Sequence, residues 1–134
     1  MYKELDKYIK AFEKDSAIVA EYWNDDGVDK AIEMFNNFKD KDWEELSIKL
    51  PEKSSIWKKR FVLCLTDRND KNRETLQSLS YTDDIELFSM VISVLNKYDI
   101  DVIENKEYLY QKIDEVLPKA TEIEKMYLHA FLEK

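Results

Sequence analysis

Apolar residues return every three or four positions along nearly the whole chain, the spacing of one face of an α-helix. Over residues 2–23 they fall at Leu5, Ile9, Phe12, Val19, Tyr22 and Trp23, and Asp15-Ser16 divides them into two helices with Ser16 as a cap. The stretch Asn24-Asp25-Asp26-Gly27 reads as a break. Asp29 then caps a helix bearing Ile32, Phe35 and Phe38. A short helix with Trp43, Leu46 and Leu50 follows Asp42, with Glu45 as its capping-box partner, and Pro51 stops it. Ser54 or Ser55 opens the next helix, where Trp57, Phe61, Cys64 and Leu65 share a face with Arg60 while Lys58 and Lys59 point away. Beyond the link TDRND, a helix carries Leu76 and Leu79. The next, from Thr82-Asp83-Asp84 with a box between Asp83 and Glu86, is apolar nearly all round between Ile85 and Leu95, as a central buried helix would be. Asp101 and Glu104 resemble another box, ahead of a helix with Tyr108, Leu109, Ile113 and Val116 that ends near Pro118. Thr121 and Glu124 form the clearest box, opening a last helix with Ile123, Tyr127, Leu128 and Phe131.

The pattern predicts an all-α protein of seven to eight short helices in one compact domain, residues 1–134. Composition agrees: one Gly and two Pro in 134 residues are too few for the many turns of a sheet protein. An echo at an offset of 30 sets Trp57, Phe61, Val62, Cys64 and Leu65 over Leu87, Val91, Ile92, Val94 and Leu95, which admits HEAT-like stacked hairpins. No apolar stretch is long enough to span a bilayer and the first residues carry no apolar signal core, so a cytoplasmic location is expected.

Charge sharpens the picture. The net charge is −8, which argues against a nucleic-acid or anionic-membrane surface and suits either simple solubility or a basic protein partner. Residues 21–45 hold nine acids against three lysines, residues 83–104 six acids against Lys97, and residues 49–73 eight cations against three acids. The cations Lys58, Lys59, Arg60, Arg68, Lys71 and Arg73 therefore sit between two acidic segments, and their simplest role is to offset neighbouring acids.

Catalytic and cofactor chemistry finds little footing. His129 is the only histidine and Cys64 the only cysteine, with no nucleophile-elbow motif beside either. One glycine excludes the phosphate-binding loops. Asp25, Asp26 and Asp29 do not follow the EF-hand pattern. No enzyme activity, cofactor or metal is expected.

Trp43, Leu46, Leu50-Pro51, Ser54 or Ser55, Trp57 and the Asp83-Asp84 pair, within residues 29–100, form a pattern similar to that of small acidic immunity proteins of bacterial polymorphic toxin and contact-dependent growth inhibition systems. The resemblance implies a non-enzymatic protein that binds and neutralises the C-terminal domain of one cognate toxin, often a nuclease with a basic surface. It supplies no contact residues. The charge map nominates Asp83, Asp84, Glu86, Asp99, Asp101 and Glu104, together with Tyr22, Trp23, Asp25 and Asp26, where aromatic and acidic residues meet. The alternative for each is a helix cap or a solvated face. The alternative for the whole is a helical-repeat adaptor that docks some other protein.

Overall fold

The computed structural model describes residues 1–134, all-helical and without a strand. The chain divides into two compact units, residues 1–65 and 66–134.

Unit 1 holds α1 (Tyr2–Lys10), α2 (Ala17–Tyr22), a π-helical turn (Trp23–Gly27), α3 (Val28–Phe35), α4 (Asp40–Lys49), a 3-10 turn (Leu50–Glu52) and α5 (Ser55–Val62). The expected break at residues 24–27 is instead the π turn that carries α2 into α3 as one rod, so the chain has eight helical rods in all. Asp29 lies inside that rod and caps nothing. Ser16 and Ser54 do cap, accepting the amides of Val19 and Trp57. Asp42 works differently from its expected role: from the first turn of α4 it accepts the Lys39 amide at 2.9 Å and the Tyr2 amide at 2.9 Å, which ties α1 to α4. The core gathers Leu5, Ile9, Trp23, Phe35, Leu46, Trp57 and Phe61, and α1 packs against α3, α4 and α5.

Unit 2 holds α6 (Asp70–Leu79), α7 (Ile85–Leu95), a 3-10 turn (Ile100–Val102), α8 (Lys106–Val116), a second 3-10 turn (Leu117–Lys119) and α9 (Glu122–Leu132). As its composition requires, α7 is central: Leu87, Phe88, Val91, Ile92 and Leu95 are buried, and the helix packs against α6 and α9. Its cap is Asp84, which accepts the Leu87 amide at 3.0 Å, rather than Asp83. The Thr121–Glu124 box forms in both directions. The Asp101–Glu104 box does not. Asn105 precedes α8, and the Glu104 amide donates to Gln77 Oε1. In α9 Leu128 and Phe131 are buried, but Ile123 and Tyr127, expected in the interior, face solvent.

Each unit runs through the same succession of four rods with a Leu-Pro 3-10 turn before the last. Leu50-Pro51 and Leu117-Pro118, the caps Ser54 and Thr121, and the buried pairs Ile9 and Leu76, Leu46 and Ile113, Phe61 and Leu128, and Cys64 and Phe131 all stand 67 residues apart (54 to 121). The echo at 30 instead overlays the fourth rod of unit 1 on the second rod of unit 2, which are not equivalent elements.

Candidate docking surface

The rod spanning residues 17–35 has its buried side fixed by spacing. Trp23, Gly27, Ala31 and Phe35 recur every four residues and all are buried. Trp23 is the anchor. Its indole N–H donates to the Arg60 carbonyl at 2.9 Å, and its ring packs on Phe12 and Tyr8 at centroid distances of 5.0 and 6.0 Å. The Tyr8 hydroxyl donates to the Gly27 carbonyl at 3.1 Å. Burial, then the nearby Cys64 and Asp26, raise the Tyr8 pKa, so this donor keeps its proton. Gly27 allows the close approach. A Cβ there would stand 2.9 Å from Trp23 Cε3 and 3.1 Å from the Phe12 ring. The π turn thus lies where three aromatic rings meet a residue that must be small.

With that side committed to the core, the opposite side presents Ile18, 67% exposed, and Tyr22, 62% exposed, among exposed Glu21, Asp25, Asp26 and Asp29. Residues 17–29 hold those four acids and no lysine or arginine. The result is an apolar and aromatic pair set in an acidic surround. Tyr22, Asp25 and Asp26 therefore stand together at the surface as nominated. Trp23 does not, because a fully buried indole cannot touch a partner; its role is to orient its neighbours.

The acids of unit 2 are more dispersed. Asp83 and Glu86 are exposed near the start of α7, with Asp83 3.5 Å from Lys112, and Asp84 is half-buried in its capping role. Asp99, Asp101 and Glu104 are exposed beyond its other end. The eleven residues of α7 separate the two groups by about 16 Å at the ordinary helical rise. Glu104 is paired with Arg73 at 3.3 Å, which reduces the field it offers a partner.

Several cations of residues 49–73 are engaged within their own unit. Lys53 binds Asp6 at 2.7 Å and lies over the rings of Tyr2 and Trp57, and the Trp57 indole N–H donates to the same Asp6 oxygen at 2.9 Å. Partial burial opposes ionisation of both Asp6 and Lys53. Their mutual attraction outweighs it, with help from Lys10 for Asp6 and Tyr2 for Lys53, so the Asp6 pKa is lowered and that of Lys53 raised. Arg60 donates to the carbonyls of Phe12 and Lys14 at 3.0 Å each. In unit 2, Arg68 donates to the Lys97 carbonyl and Arg73 to Asp70 and Glu104. These cations fasten helix ends and neutralise acids.

His129 is exposed on α9, and no group of three or more His, Cys, Asp or Glu side chains converges as a metal site. No helix is long and apolar enough to cross a membrane. No protein-family model matches the chain, and no curated protein or solved structure shows significant similarity to it.

Proposed function

We propose that the chain is an immunity-type inhibitor that docks a basic toxin domain, a nuclease being the best physical match, on the acidic side of the residue 17–35 rod. The observation that carries this reading is the exposed Ile18–Tyr22 pair among four acids with no cation in the same stretch. Aromatic anchors that lose water on contact supply binding energy, and a surrounding field of one sign speeds encounter with an opposite partner. The acids at the two ends of α7 contribute to the long-range field rather than to one contact patch.

A toxin-expressing host provides the test. The C-terminal domain encoded immediately upstream is induced alone and with this chain. Rescue of growth with co-purification is expected, and a toxin equally lethal in its presence would refute the reading. The adaptor alternative draws on the repeated succession of rods, a feature of helical scaffolds. The two differ in affinity and partner: an inhibitor binds its one toxin very tightly, whereas an adaptor has no toxin to neutralise.

A further inference from the structure

The second exposed apolar face lies on α9 and has a different electrostatic character. Ile123, Met126, Tyr127 and Ala130 follow the i, i+3, i+4, i+7 spacing of a single helical side. The first three are 65%, 70% and 43% exposed, and Ala130 is exposed as well. Leu128 and Phe131 bury the adjoining side, so the apolar surface of the helix extends beyond what the core covers. From residue 119 to 134 the cations Lys119, Lys125 and Lys134 balance the acids Glu122, Glu124 and Glu133, so the remainder of the chain carries the whole −8.

We infer that this face pairs two copies of the chain. Because the charges of residues 119–134 cancel, the approach of a like molecule on α9 meets no local excess of like charge, and apolar area is available there. A two-fold interface requires a patch to be complementary to itself. Antiparallel α9 helices related by an axis between Met126 and Tyr127 meet this requirement, because they set Ile123 of each copy over Ala130 of the other, large against small, and Met126 over Tyr127. A basic partner would gain no steering from so neutral a face, and its place is the acidic rod of unit 1.

Sedimentation equilibrium from micromolar to millimolar protein, at low and high salt, tests the inference. The mass is expected to climb from 16.1 kDa toward twice that value, and to climb at lower concentration in high salt, because salt screens the repulsion of the two net charges. Met126→Glu would weaken pairing ~tenfold or more by burying an unpaired charge. Ala130→Glu, at an exposed position on the same face, serves if the first variant loses its helical circular dichroism. A wild-type mass fixed at 16.1 kDa to millimolar concentration in both salts, or a dimer unaffected by both substitutions, would overturn the inference. So would a chain that stays monomeric but binds a basic amphipathic peptide through α9.

Discussion

Unit 1 and unit 2 pass through the same succession of rods but fill and fasten them with different chemistry. All three tryptophans, at 23, 43 and 57, lie in unit 1, where aromatic side chains form two clusters, Tyr8–Phe12–Trp23 and Phe35–Phe38–Trp43–Phe61–Trp57. Unit 2 is built on the aliphatic surface of α7, with single ring pairs at Tyr81–Tyr108 and Tyr110–Phe131. The contrast is clearest eleven residues after the second cap of each unit. After Ser16 this position is Gly27, which must be small because Trp23 and Phe12 fill the space. After Asp84 it is Leu95, one residue outside the 67-residue register of the other pairs and matched through the caps, a buried side chain that itself fills the space. A succession of helices therefore tolerates opposite solutions to the same packing requirement. In unit 1 the aromatic solution brings the π turn, and with it the acidic, exposed far side that we assign to binding.

Replacing Trp23 by Ala removes one of the two fully buried tryptophans of unit 1 and is expected to cost about 3–5 kcal/mol in denaturant unfolding. Leu95→Ala would leave a cavity in unit 2 worth about 2–5 kcal/mol. Gly27→Ala has the opposite defect: overpacking of about 1–3 kcal/mol outweighs the gain of up to about 1 kcal/mol in helix propensity. A more stable Gly27→Ala protein would show that the two equivalent positions do not differ as described.

Asp42→Ala should cost about 1 kcal/mol through the lost bonds at the start of α4. In the folded chain the Lys39 and Tyr2 amides hold the Asp42 pKa at about 2, against an ordinary 3.8. Its contribution is therefore fully present above about pH 4 and fades as pH falls toward 2. The variant should lose that part of the acid dependence in equilibrium unfolding. The smallest energetic effect concerns Cys64, which unit 1 buries where unit 2 places Phe131. Burial pushes its thiol pKa up to about 12. A thiol reagent should label it only as the chain unfolds, and rapid labelling of the native protein would contradict its placement in the core.

Signals confined to a few residues were legible in the sequence. Ser16, Ser54 and Thr121 cap as expected because a cap depends on its own next three residues. The all-α fold and the central character of α7 followed from spacing. Features set by distant residues were not legible. Asn24-Asp25-Asp26-Gly27 has the composition of a turn, yet the rings of Tyr8 in α1 and Phe12 just after it hold it helical. The amide of Glu104 finds its acceptor in Gln77 on another helix, so the local box with Asp101 was not needed. Trp23 beside two aspartates resembled an interface residue, although its spacing with Gly27, Ala31 and Phe35 marked the core side. The repetition at 67 had one strong sign, a Leu-Pro followed three residues later by Ser54 in one unit and Thr121 in the other, which hydrophobic class alone passes over. Ile123 and Tyr127 were assigned to the interior because α9 is apolar on two sides and periodicity does not say which side is covered.

The acidic side of the residue 17–35 rod is the centre of the functional account, and charge reversal in the toxin co-expression host tests it most directly. Tyr22→Ala with Asp25→Lys and Asp26→Lys leaves the buried Trp23 anchor untouched. The account predicts a stably folded protein that no longer rescues growth or co-purifies with the toxin domain, while reversal of Asp99 and Asp101 to Lys only slows association. Full rescue by the folded triple variant would contradict the assignment of this surface.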